Sequence, residues 1–179
     1  MNAAPTSRWR ILRRFTLPLV ALIGTGLLIP EDAVVPVAGA TRRDWNPKSF
    51  WYEPWGVSGV HKGIDIFAPR GRPVLAAVPG IVVYRGSLRQ GGEVVAVLGP
   101  KWRLHYYAHL DEHAAGRPLL VTRGAQLGTV GTSGNAAGKP PHLHYTVFSL
   151  LPLPWRYSTA TQGWRRMFYL DPGEILPGR

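Results

Sequence analysis

The chain contains no cysteine, which excludes disulfides and every thiolate metal site. Any tightly held metal must therefore rest on imidazole and carboxylate. Acidic residues are scarce, at 10 Asp and Glu against 21 Lys and Arg, for a net charge of +11 with histidine neutral. Two kinds of anionic partner fit that imbalance: nucleic acid, or a surface such as a membrane or an acidic wall polymer. The arginines fall in ones and twos (Arg42 with Arg43, Arg70 with Arg72, Arg165 with Arg166), form no dense stripe and accompany no nucleic-acid-binding motif. No nucleic-acid partner is expected. The H-E-x-x-H helix motif of many zinc proteases is also missing, and with it that motif's glutamate base.

What is present suits one folded domain. The 179 residues are 45% apolar and 17% charged, a globular balance with room for a single core. Glycine and proline number 21 and 17 and are spread along the chain, which points to short strands joined by turns.

Arg8, Arg10, Arg13 and Arg14 precede FTLPLVALIGTGLLI, an uncharged run from Phe15 to Ile29. Basic residues followed by a short apolar core form the pattern of a secretory signal. The charges hold the N-terminus in the cytoplasm and send the remainder out, to the periplasm or the extracellular space. Fifteen helical residues rise about 22 Å, short of the roughly 30 Å hydrocarbon layer. Ala38-Gly39-Ala40 offers a cleavage site after Ala40, although Glu31 and Asp32 separate it from the apolar run. Residues 1–40 therefore read as a signal sequence or a signal anchor, with the balance tipping slightly toward cleavage. In the anchored form, residues 15–29 would associate with the membrane.

Residues 41–58 are rich in Trp, Pro and polar side chains and read as an irregular lead-in. Strands follow at Val74–Val78, Ile81–Arg85, Glu93–Leu98, within Lys101–Leu110, at Leu119–Val121 and Leu127–Val130, and at His142–Phe148, with Pro79-Gly80, Gly91-Gly92 and Gly99-Pro100 as turns. Such a succession predicts an all-β fold, a compact and mostly antiparallel sheet. Residues 151–179 carry Trp155, Trp164, Met167, Phe168 and Tyr169 and read as a cap on that sheet.

Three polar elements carry candidate chemistry. His61 and Asp65 stand in HKGID, where positions four apart share a face of an extended segment. Alone, the pair is as well explained by a surface hydrogen bond. His142 and His144 in PPHLHYTVF face the same way on a strand, and the bland alternative is a solvated strand face. His109 in YYAHL is the third element. His105, four residues earlier, and His113, past Asp111-Glu112, read better as surface or supporting histidines than as catalytic ones.

Together HKGID at 61–65, YAHL at 107–110 and HLH at 142–144 resemble the M23 metallopeptidases, the lysostaphin or LytM type. GIDIFAP followed by GRPVLAAVPGIVVY, and GTSGNAAGKPPHLHY, are similar to that family's other signatures, so the likeness runs from about Trp55 to Phe148. The resemblance implies zinc held by His61, Asp65 and His144, with His109 and His142 as catalytic histidines that do not hold the metal. It also implies an M23-like domain at 59–150 on a compact antiparallel β fold, and peptidoglycan stem or cross-bridge peptides as substrate. The alternative within the same fold is a peptidoglycan-binding or hydrolase-regulating module without catalysis, whose relatives usually lack a ligand. Thr146 stands where members of the family often carry glutamate, and GEVVAVLGPKWRLHYYAHL lacks the family's usual asparagine-containing strand.

Overall fold

The computed structural model describes residues 8–116 and 118–177. Nine strands form one sheet among these residues: β1 (Ile64–Phe67), β2 (Pro73–Leu75), β3 (Gly80–Leu88), β4 (Gly92–Gly99), β5 (Arg103–His113), β6 (Leu120–Val121), β7 (Gln126–Val130), β8 (His142–Ser149) and β9 (Tyr169–Leu170). All pairings are antiparallel. The main path runs β1-β8-β5-β4-β3-β6, with β2 and β7 paired to each other, β7 joined to β5 and β9 to β8. A compact, mostly antiparallel β domain with short helical turns is the architecture that the turn-punctuated sequence predicts.

Alternation on the central strands decides what is buried. On β8, Leu143, Tyr145 and Val147 are wholly enclosed and meet Ile64 and Ile66 of β1, Tyr107 of β5 and Val95 and Val97 of β4 in one hydrophobic core. The intervening His142 and His144 thereby project from the opposite face. β5 begins at Arg103 because Pro100–Trp102 forms a 3-10 turn, with Lys101 and Trp102 at positive φ. That turn places the start of the strand expected within Lys101–Leu110 at Arg103.

The N-terminal helix α1 (Arg8–Leu28) includes Pro18 and lies against that 3-10 turn. The Trp102 indole donates to the Ile23 carbonyl at 3.0 Å. Gly26 is required there, since a Cβ would meet the indole ring at 2.3 Å. Phe15, Leu17, Leu22 and Leu28 stay exposed. Among the described residues no helix is long and apolar enough to cross a membrane.

The stretch between this helix and residue 40 is woven into the domain. Val34 N–H donates to Ala77 O at 2.9 Å, Leu75 N–H to Pro36 O at 2.9 Å and Ala38 N–H to Pro73 O at 3.0 Å. Ala33 and Val37 belong to the core. Ahead of them, the Glu31 carboxylate is 3% exposed, pairs with Arg103, and lies 3.4 Å from the Nε2 of fully buried His105. The ring's other nitrogen lies 2.7 Å from the Tyr145 hydroxyl. His105 is thus neither a surface residue nor part of the site on the opposite face. The tail also closes on the sheet: Phe148 stacks on Phe168 and meets Tyr169 edge-on, and Leu176 of the C-terminal turn enters the core.

Candidate metal centre

His61 precedes β1, Asp65 lies on it, and β8 brings His144 alongside, with Asp65 opposite His144 in register. Asp65 Oδ1 is 2.8 Å from His144 Nδ1 and 3.1 Å from His61 Nε2, and the two ring nitrogens are 3.1 Å apart. Gly63 makes this approach possible, because a Cβ there would meet the Tyr145 carbonyl at 2.4 Å. Among the described residues, these three side chains form the one group placed to share a metal ion.

A hydrogen bond outside the triad sets the tautomer of His61. His61 Nδ1 lies 3.0 Å from the Ser49 carbonyl, which only accepts. Nδ1 therefore carries the proton and Nε2 turns a bare lone pair toward Asp65 and His144. His144 is held the other way round, with Nε2 3.0 Å from Thr146 Oγ1 and Nδ1 inward. A bare nitrogen 3.1 Å from a carboxylate oxygen is favourable only with a proton or cation between them. The donor spacings of 2.8–3.1 Å approach the roughly 3.3 Å edge of a tetrahedron with zinc bonds near 2.0–2.1 Å. Two imidazoles and one carboxylate also leave the fourth position open, as catalytic zinc sites do. The residues fit zinc.

Burial and charge reinforce the arrangement. Burial alone would raise the Asp65 carboxyl, but the adjoining His144 and His61 imidazoles outweigh it and hold the group well below the usual carboxylate range. Burial pulls the His144 imidazole down despite the opposing influence of Asp65. The Trp55 ring stacks on His61 with centroids 4.0 Å apart, fixing the plane of the imidazole.

The other two histidines face the same cluster. His109 Nδ1 lies 2.9 Å from the Ser133 carbonyl and His142 Nδ1 lies 2.8 Å from the Pro140 carbonyl. Each Nδ1–H donates to an obligate acceptor, which leaves both Nε2 atoms as free bases. His142 Nε2 is 4.0 Å from Asp65 Oδ1, and the His109 and His142 rings are 5.1 Å apart, edge to face. His109 adopts φ +65°, a left-handed conformation that turns its ring out of the ordinary alternation of β5. Burial, followed by the charges of His144 and His142, lowers His109 to about 4, so it is neutral at physiological pH. His113 is apart from the site, bonded to Glu93 at 2.7 Å.

The cluster lies beside a cavity of about 410 Å³, lined by residues 54–58, by His61 and Lys62, by Gln90 and Gly91, and by Asn135 and Lys139. Lys62 Nζ donates to the Ser58 carbonyl at 2.9 Å, and burial, then the nearby charge of Arg165, lower its affinity for the proton. Sequence reasoning missed Ser49, Ser133 and Pro140, which act through backbone carbonyls that carry no residue-type signal. Thr146 was visible as a departure from the family pattern, although not as a partner of His144.

An antiparallel β domain with a His-Asp-His cluster in an open groove, and two further histidines beside it, has the donor set of a zinc-dependent hydrolase. The chain belongs to peptidase family M23, whose family model matches residues 59–150. Among its relatives is the L-Ala–D-Glu endopeptidase of Bacillus subtilis, 38% identical over 116 residues, covering 60% of this chain and 36% of that protein. The cell division protein DipM of Caulobacter vibrioides is 28% identical over 152 residues, covering 83% and 23%. The chain thus matches about a third or less of either relative's length. Among solved structures, the catalytic domain of lysostaphin from Staphylococcus simulans is similar at a TM-score of 0.54 and 25% identity, over 68% of this chain and 84% of that one. A mutant catalytic domain of the prophage-encoded M23 protein EnpA from Enterococcus faecalis shares the fold at a TM-score of 0.57 and 23% identity, over 80% and 96%.

Proposed function

We propose that the protein is a zinc endopeptidase that hydrolyses peptide bonds in bacterial peptidoglycan stems or cross-bridges. The observation that carries this reading is the pair of free Nε2 atoms, on His109 and His142, turned toward a complete set of three metal donors. His61, Asp65 and His144 would hold zinc, which when bound supplies a Lewis acid that acidifies water and polarises a scissile carbonyl. His109 and His142 divide the proton work. One Nε2 accepts the proton of the attacking water, and the other stabilises the developing oxyanion or donates to the departing amine. The backbone carbonyls of Ser133 and Pro140 keep both rings in the tautomer this requires. Peptidoglycan as substrate is supported by the family and by the B. subtilis relative, an L-Ala–D-Glu endopeptidase.

Purified full-length protein is expected to carry one zinc per chain, and His61→Ala, Asp65→Ala and His144→Ala each to lose it. His109→Ala and His142→Ala should keep zinc and circular dichroism while losing roughly 10²–10⁴-fold in cleavage, the scale of a general acid or base. New amino groups in digests of several wall types mark the peptidase. Zinc-loaded, folded protein that binds peptidoglycan and cleaves none of them would instead favour a binding module.

We further propose that the protein is exported by its basic, apolar N-terminus and acts in the periplasm or outside the cell. Where α1 is retained, residues 15–29 would associate with the membrane, lying at its surface as an interfacial helix does. The hydrogen bonds of residues 34–38 and the core positions of Ala33 and Val37 support a functional unit that begins ahead of the 59–150 family region, at Glu31. Processing would then fall before Glu31 or not occur at all. N-terminal sequencing of the exported protein tests this, and a start at Thr41 would overturn it.

A further inference from the structure

We infer that Lys62 and Lys139 form a carboxylate-binding subsite that makes the groove selective for acidic peptides over uncharged ones. The inference rests on the peptidase reading for its substrate and on the cavity for its chemistry. The two lysines reach the cavity from separate segments, Lys62 from the residues before β1 and Lys139 from the loop before β8, and no acidic residue lines the space with them. Neither makes an ion pair among the described residues. Four acidic side chains on or near the sheet are engaged elsewhere: Glu31 with Arg103, Asp32 with Arg123, Asp111 with Arg70 and Glu93 with His113.

The Lys62 ammonium is held at the wall by the Ser58 carbonyl at 2.9 Å and the Val60 carbonyl at 3.4 Å, two acceptors for a group with three donors. It is thus a fixed cation with a donor to spare, next in sequence to a proposed zinc ligand. Lys139 is exposed at the rim, where a long flexible stem can follow a mobile charge. A substrate carboxylate entering beside the scissile bond meets both. A carboxamide of the same shape accepts a hydrogen bond from either but offers no charge. A charge-assisted hydrogen bond outweighs a neutral one by an amount worth roughly ten- to hundredfold in a rate or binding constant. The effect should fall as salt is added, since Lys139 is solvated.

The test uses zinc-loaded full-length protein and one cross-linked peptidoglycan peptide in two forms. In one form its carboxylates are free; in the other they have been converted to carboxamides by carbodiimide coupling with ammonia. The free-acid form is expected to show a kcat/KM about ten- to hundredfold higher, chiefly through KM. Lys139→Gln and Lys62→Gln should each narrow that ratio, and Lys62→Arg should largely keep it. Binding of both forms, followed by tryptophan fluorescence, is measured alongside. Should neither form be cleaved while the free acid still binds more tightly in a Lys139-dependent way, the subsite stands and the peptidase reading falls. Equal cleavage and binding of the two forms, or an unchanged ratio in both glutamine variants, overturns the subsite.

Discussion

Replacing Glu31 with alanine removes a carboxylate that is 3% exposed and leaves Arg103, itself 17% exposed, without its partner. His105, fully buried 3.4 Å from the other carboxylate oxygen, loses the negative charge beside its Nε2. Removing one member of a buried ion pair strands the other, at roughly 3–5 kcal/mol. For a chain of this size, where each kcal/mol corresponds to about 2–4 °C, the midpoint should fall by roughly 6–20 °C. Urea denaturation of the full-length protein, followed by circular dichroism and tryptophan fluorescence, measures the loss. Arg103→Ala should be similarly harmful. The double replacement Glu31→Leu with Arg103→Met should cost clearly less than the sum of the two alanine variants, because it leaves no charge stranded. A Glu31→Ala loss below about 1 kcal/mol, the range of a surface pair, would refute the enclosure of this arm within the fold.

Thr146→Val removes the hydroxyl beside His144 Nε2 while keeping its shape. Zinc affinity by chelator competition should weaken about 10–100-fold, with Thr146→Ser close to wild type, and unchanged affinity in the valine variant would show that the contact does not orient the ligand. Tyr107 contributes to the alkaline limb of stability. Burial raises its phenol above the ordinary value, while Ala77 N–H donates to its oxygen at 2.8 Å. The unfolded chain releases that proton near pH 10 and the folded chain only above it. This contribution is therefore complete below about pH 10 and is lost as pH rises further. Urea midpoints taken between neutral and strongly alkaline pH should fall less steeply in Tyr107→Phe, and parallel curves for the two proteins would contradict the assignment.

The sheet and the donor set could be read from sequence for a specific reason. Gly/Pro turns bound the strands, and the H-x-x-x-D and H-x-H spacings put donors on one face of extended chain, so local geometry carries the signal. What could not be read depends on distant contacts. β1 is four residues long, too short for alternation to stand out, and it exists because β8 pairs with it along its whole length. His105 and His109 share a face only on a regular strand, and the positive φ of His109 breaks that regularity. The small residues around Ala38 look the same whether they are read by a peptidase or packed beside β2. The packed reading rests on backbone contacts with β2: the bridge from Val37 to Val74 and the hydrogen bonds of Pro36 and Ala38.

The junction between α1 and the sheet contains almost no slack. The helix ends at Leu28 and Glu31 is already locked to Arg103, so the free connection is Ile29 and Pro30, about 7 Å of chain at full stretch. A flexible tether lets a catalytic head sample a volume that grows with linker length, and this head has none to spend. Its Trp102 also grips the helix backbone at Ile23. Wherever α1 is held, the groove is carried at a fixed height and heading, like a blade set in its handle. On the proposed reading of a retained α1 and a peptidoglycan substrate, the depth of polymer within reach would be set by the width of the domain itself.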